Sequence, residues 1–208
     1  MLGRRSRALN DANGSPDSGT QAAQEKEITA DAAGVMLGPR EGEKIVGGGI
    51  DATLKVPKSH PASTCSFEVR VPPGYDVGAH VHTEGEEVFY VISGTLDVLA
   101  FEPIDRDIKD WHAWKSADGK TYIRGRPGSF LYVPPNVPHA FGNPTDEETV
   151  MFFQSSAPGG HDNYFKELSK LLVDSHGKPP ESDMVALREK YDIIQLTQLH
   201  PGLEAQGA

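Results

Sequence analysis

Cysteine is almost missing from this chain. Cys65 stands alone among 208 residues, so no disulfide can form within the chain and a reducing compartment is expected. Its thiol is a poor candidate nucleophile, because "STCSFEVRV" reads as the start of a strand, where a lone cysteine is ordinarily a small buried apolar group. Positive charge is short as well. The 20 Lys and Arg face 30 Asp and Glu, and the net charge of −10 would repel both nucleic acid and an anionic membrane. No apolar run approaches the roughly 20 residues that cross a bilayer. Arg4, Arg5 and Arg7 are not followed by the hydrophobic stretch of a secretory signal, so a cytoplasmic protein is expected. Hydrophobic residues reach only 37%, below the usual globular share, so part of the chain should contribute nothing to a core.

A further lack locates that part. Residues 1–33 hold no aromatic side chain and are rich in Ala, Gly, Ser, Asp and Gln. They cannot bury enough apolar area to offset the entropy of ordering, and a disordered leader is expected. Residues 34–156 are different, with short runs punctuated by Gly and Pro. "CSFEVRV" alternates with period two and places Phe67, Val69 and Val71 on one face. "PPGY" turns the chain. "EVFYVI" and "LDVLAF" follow, joined by Ser93-Gly94-Thr95, which signals a hairpin. Val88, Tyr90 and Ile92 are as apolar as the opposite face of their strand, so cover on both sides is expected. "TYIRG", "SFLYV", "PHAFGN" and "TVMFFQ" complete the series. Many short strands with frequent turns predict an all-β fold, an antiparallel sandwich or barrel.

Helix is expected only in a C-terminal extension, residues 157–208. "DNYFKELSKLLV" carries Phe165, Leu168 and Leu172 at helical spacing. "ESDMVALREKYDI" repeats the pattern with Met184, Leu187 and Tyr191, and Ser182 is a candidate N-cap. Both helices should cover one side of the barrel.

The stretch "GAHVHTEGEEVFYVISG" raises a chemical question. On a strand, His80 and His82 project from the same face. Thr83 to Glu86 would form a loop, and Glu87 would open an antiparallel partner strand with Phe89 and Val91 also facing in. Either a polar hairpin happens to carry histidines or these groups converge on a metal, which would relieve the cost of a buried carboxylate.

These residues resemble the cupins, small antiparallel β-barrels with an internal metal site. Their first motif, G-x5-H-x-H-x3-4-E-x6-G, is matched by Gly74, His80, His82, Glu87 and Gly94. Glu86 would break the interval to Gly94, so Glu87 is the better ligand candidate. Their second motif, G-x5-P-x-G-x2-H-x3-N, is matched by Gly128, Pro134, His139 and Asn143. Asn136 stands where the family has glycine, and asparagine is the residue that next best tolerates left-handed backbone. The resemblance implies that His139 is the fourth ligand of a divalent ion, and Glu87 would also shuttle a proton if its bond to the metal loosened. The longer stretch is similar to monocupins grouped with quercetin 2,3-dioxygenase, which often end in a pair of helices. The resemblance therefore implies a metal-dependent dioxygenase acting on a small phenolic, enol or diketone-like substrate. Its rivals are a non-redox isomerase, lyase or cyclase, and a non-catalytic small-molecule-binding barrel. Three imidazoles and a carboxylate suit Fe, Mn, Ni, Zn or Cu without choosing among them. Cupins commonly pair through their sheets, so a homodimer is expected.

Phase predicts an interior pocket lined by Phe67, Phe89, Val91 and Phe141. The segment from Phe101 to Pro127 carries Trp111 and Trp114 around His112. It is either a flap offering aromatic surface or, as favoured here, an edge hairpin turning at Asp118-Gly119 with the tryptophans packed beneath. His112 is not expected to be a ligand. His60, His161, His176 and His200 are expected to be exposed to solvent.

Overall fold

The structure is a computed structural model, and it describes residues 34–47, 49–58 and 63–201. The expected leader and His60 lie outside the described residues. Along the chain come β1 (Glu43–Gly47), β2 (Ile50–Val56), β3 (Cys65–Val71), β4 (Tyr75–Asp76), β5 (His80–Val81), β6 (Glu87–Ser93) and β7 (Leu96–Ala100). After a 3-10 turn at Trp111–Ala113 follow β8 (Ile123–Gly125), β9 (Phe130–Val133), β10 (His139–Gly142) and β11 (Thr149–Ser155). Helices α1 (His161–Asp174) and α2 (Glu181–Lys190) and two short strands, β12 (Ile194–Gln195) and β13 (His200–Pro201), complete the described fold. No helix among the described residues is long and apolar enough to cross a membrane.

Two antiparallel sheets form. One runs β1-β2-β3-β11-β6-β9, and the other runs β12-β5-β10-β4-β13 with β7 on β10 and β8 on β7. The period-two pattern of β3 does what it predicts: Cys65, Phe67, Val69 and Val71 are buried and the residues between them are not. Phe67 pairs in register with Phe153 of β11, which in turn faces Phe89 of β6. Tyr75 and Phe141, from the second sheet, close the same core from the other side.

Sequence and structure part at the connections. Ser93-Gly94-Thr95 does not make a hairpin, because β6 belongs to one sheet and β7 to the other. Gly94 has φ 80, and a Cβ there would lie 2.3 Å from the Thr149 hydroxyl. That hydroxyl accepts from Thr95 N and donates to Thr95 O, pinning the chain as it leaves the first sheet. β5 and β6 likewise lie in different sheets, so His80 and Glu87 are not on paired strands. β6 is also not covered on both sides within one chain, since Tyr90 and Ile92 are exposed. Ser182 is not the N-cap of α2. Pro180 takes that place, and Ser182 sits in the first turn with its hydroxyl donating to Asp183.

Helix α1 lays its apolar stripe on the barrel, with Phe165 edge-on to Phe67 at 5.3 Å between ring centroids. Tyr164, Leu168, Leu187 and Tyr191 form a separate cluster joining α1 to α2. The tryptophans of the inserted segment pack inward, as favoured. Trp111 and Trp114 are buried with Ala79, Leu99 and Ala140 in a second core. Trp111 Nε1 donates to the Asp76 carboxylate and Trp114 Nε1 to the Ile108 carbonyl. Gly119 N does bond back to Ser116 O, but no strand flanks that turn until Ile123, so the edge hairpin is absent.

Candidate metal centre

The two motifs meet between the sheets. In the second sheet His139 pairs in register with His80, which places their rings 4.2 Å apart between centroids. Glu87, the first residue of β6, enters from the first sheet. The chain from His82 to Glu87 crosses the gap. One donor atom from each of His80, His82, Glu87 and His139 lies within 4.8 Å of the other three, and all four residues are buried. Glu86, by contrast, is exposed and accepts a hydrogen bond from the Tyr132 hydroxyl.

Each imidazole is held by its outer nitrogen. His80 Nδ1 faces Gly78 O at 3.0 Å, His82 Nδ1 faces Asp192 O at 2.7 Å, and His139 Nδ1 faces Val137 O at 3.0 Å. A carbonyl only accepts, so each Nδ1 carries the proton and each neutral ring keeps its lone pair on Nε2. Nε2 of His82 and of His139 stand 3.2 and 3.0 Å from the Glu87 oxygens. Neither contact has hydrogen-bond geometry, and both nitrogens are buried without a partner. Unpartnered buried nitrogens are costly, and a cation among them and the carboxylate would remove that cost. The donor set therefore fits a divalent ion, and the residues leave its identity open.

The electrostatics agree. Burial pushes the Glu87 carboxyl up, but His82, His139 and His161 outweigh it and hold the group well below the usual carboxylate range. Burial and the neighbouring rings of His139 and His82 hold His80 well below the usual imidazole value. His82 goes the other way: burial lowers it, but the close Glu87 carboxylate and the Asp192 carbonyl raise it more. The cluster thus keeps a buried negative charge on Glu87 beside a neutral, ligand-ready His80 ring.

Two residues of the site escaped the sequence reading. His161 is not exposed: it opens α1, is 5% accessible, and brings Nε2 to 3.3 Å from Glu87 Oε1. Burial pushes it down to about 4. The signal was present, since His161 shares the stripe of Phe165, Leu168 and Leu172 at helical spacing, the stripe that packs on the barrel. Asp192 is the other. With φ 57 it turns the chain after α2, aims its carbonyl at His82, and receives Thr83 N, Thr83 Oγ1 and Glu84 N on its carboxylate. Nothing local in the sequence marks it.

The remaining expectations divide. His176 and His200 are exposed. His112 stacks on Trp111 at 3.7 Å and leans on Asp110, outside the cluster. Phe67, Phe89, Val91 and Phe141 are all buried in the core, but only Phe89 and Phe141 reach the wall of the cavity beside the centre; Phe67 and Val91 lie behind it. Asn136 adopts φ 66, the left-handed turn in which it stands for glycine.

A family model described as Cupin matches residues 56–173. No curated protein matches the chain. Similar solved structures include the cupin domain of Schizosaccharomyces pombe Cnp3, at 14% identity and TM-score 0.38, with 51% of this chain and 63% of that one covered. The polyketide cyclase RemF from Streptomyces resistomycificus is another, at 14% identity and TM-score 0.45, covering 59% and 79%. A third is a sugar phosphate isomerase of the cupin superfamily from Silicibacter pomeroyi, at 18% identity and TM-score 0.43, covering 58% and 74%.

Proposed function

Because the chain belongs to the cupin family, we propose that it is a metal-dependent enzyme whose reaction is the dioxygenation of a small phenolic, enol or diketone-like substrate. The observation that carries the metal is the outward clamping of three Nδ1 atoms, which leaves Nε2 lone pairs beside a buried carboxylate. Resemblance to monocupins grouped with quercetin 2,3-dioxygenase supports the choice of oxygen chemistry. A divalent ion held by His80, His82, Glu87 and His139 supplies a Lewis acid for a substrate oxygen and, if redox-active, a route to dioxygen.

Size narrows the substrate. The cavity beside the centre holds ≈ 70 Å³. A space of that size favours a compact substrate over a large polycyclic one. Phe89, Phe141, Met151 and Phe153 give the wall an apolar surface that excludes water from the reacting oxygen. Glu87 would take the proton that an acidic C–H or O–H of the substrate gives up once its bond to the ion loosens.

Protein loaded with Fe(II), Mn(II) or Ni(II) is expected to consume dioxygen on addition of acetylacetone, with both atoms of labelled oxygen recovered in the products. Turnover sustained by Zn(II) without oxygen would overturn the dioxygenase and leave a Lewis-acid enzyme in its place. We also propose that two chains pair through the outer face of β6 and β9, where Tyr90, Ile92, Phe130 and Tyr132 are exposed. A solution mass from light scattering of twice the chain mass is expected, and a monomer at micromolar concentration would rule the pairing out.

A further inference from the structure

The cavity has a second polar feature besides the His/Glu cluster, and it comes from the helical extension. Arg188 of α2 lines the same space as His80, Glu87 and His161, in a wall otherwise made of aromatic and aliphatic side chains. Arg70, Arg106 and Arg124 each hold a carboxylate, from Glu148, Glu102 and Asp97. Arg188 makes no ion pair among the described residues. Its charge acts on the buried hydroxyls around it. Burial raises the Tyr164 hydroxyl, and the Arg188 guanidinium beside it pulls the other way; at Tyr75 it likewise opposes the upward push of burial.

A basic residue in the last turn of a helix is ordinarily explained by the negative end of the helix dipole. That accounts for Lys190, which points outward to Glu167. It does not account for a guanidinium that lines an apolar cavity, half-buried beside the Tyr164 hydroxyl and without a carboxylate partner among the described residues, a place where an incoming anion would be stabilised. A guanidinium presents parallel N–H donors that match a carboxylate. The turn that follows is fixed, since Arg188 O accepts both Tyr191 N and Ile193 N. Asp192, between those two, holds the His82 ring. One turn of chain thus sets both the guanidinium and a member of the cluster.

We infer that Arg188 is the specificity residue of this cavity and that its ligand is a small β-keto or enol acid, whose carboxylate meets Arg188 while a second oxygen faces the His80, His82, Glu87 and His139 cluster. The inference rests on reading that cluster as a metal-dependent substrate site. It narrows the class from neutral diketones to their carboxylate counterparts, which have nearly the same shape with a carboxylate oxygen in place of a methyl group.

The test uses that matched pair. Calorimetry on the full chain loaded with Ni(II) under nitrogen compares acetoacetate with acetylacetone. Wild-type protein is expected to bind acetoacetate at least about tenfold more tightly, as a charge-assisted pair allows. Arg188→Gln is expected to remove that preference and leave acetylacetone within about twofold, and Arg188→Lys to restore part of it. Metal content by elemental analysis should be equal in all three proteins. Equal binding of the two probes by wild type, binding of neither, or an Arg188→Gln protein that keeps both its metal and its preference would overturn the assignment. A chain that takes up no metal would defeat the functional reading alone. In that case Arg188→Gln is still expected to weaken acetoacetate binding to the metal-free protein, and an unchanged affinity there would overturn the anchor separately.

Discussion

His82→Ala is expected to strip the centre. Elemental analysis of protein purified without added metal should fall from about one ion per chain to below about a tenth. Three changes act together. The substitution removes one of four donors, opens a gap in the wall facing Glu87, and frees the Asp192 carbonyl that held the ring. Loss of a partner orienting a ligand ordinarily lowers metal affinity 10–100-fold, and loss of the ligand itself should do at least as much. Two controls give the result its meaning. His112→Ala, which removes a ring stacked on Trp111 outside the cluster, should leave occupancy unchanged. His161→Ala should retain the ion, because His161 packs beside His82 and Glu87 without being one of the four converging donors. Equal loss of metal from His82→Ala and His112→Ala would remove the ground for placing the ion among these four residues.

That contrast separates what the sequence made legible from what it did not. His80, His82 and Glu87 were legible from their local spacing, and the resemblance to the two cupin motifs implied His139. The alternation of β3 and the apolar stripe of α1 are local in the same way. Apart from the cap of α2, which falls on Pro180 and not Ser182, the failures below are non-local. Ser93-Gly94-Thr95 looks like a hairpin because its departure from the sheet is enforced by Thr149, 54 residues away. Tyr90 and Ile92 are apolar on a face that no other part of the chain covers. Arg188 and Asp192 acquire their roles only where α2 and the turn after it dock against the barrel. His161 belongs between these cases, because its place on a buried stripe was readable, while its target across the sheets was not.

Trp114→Ala is expected to show that the inserted segment is a backing for the centre and not a flap over it. Trp114 is fully buried, and its Nε1 satisfies the Ile108 carbonyl. Truncating a buried tryptophan costs about 3–5 kcal/mol through lost burial, a residual cavity and, here, a carbonyl left without its donor. For a domain of this size that is a fall of roughly 10 °C in melting temperature. The consequence reaches further than stability. Trp111 and Trp114 pack on Ala79 and Ala140, the residues that precede His80 and follow His139. Side chains alternate along a strand, so the small alanines turn toward the tryptophans while the adjacent imidazoles turn toward the ion. The indoles therefore press on the backs of β5 and β10, and removing one should loosen two ligands at once. Folded Trp114→Ala protein is expected to bind its metal several-fold more weakly, measured by competition with a chromogenic chelator at a temperature where the variant is native. A flap would behave in the opposite way, losing turnover while melting temperature and metal affinity stayed at their wild-type values.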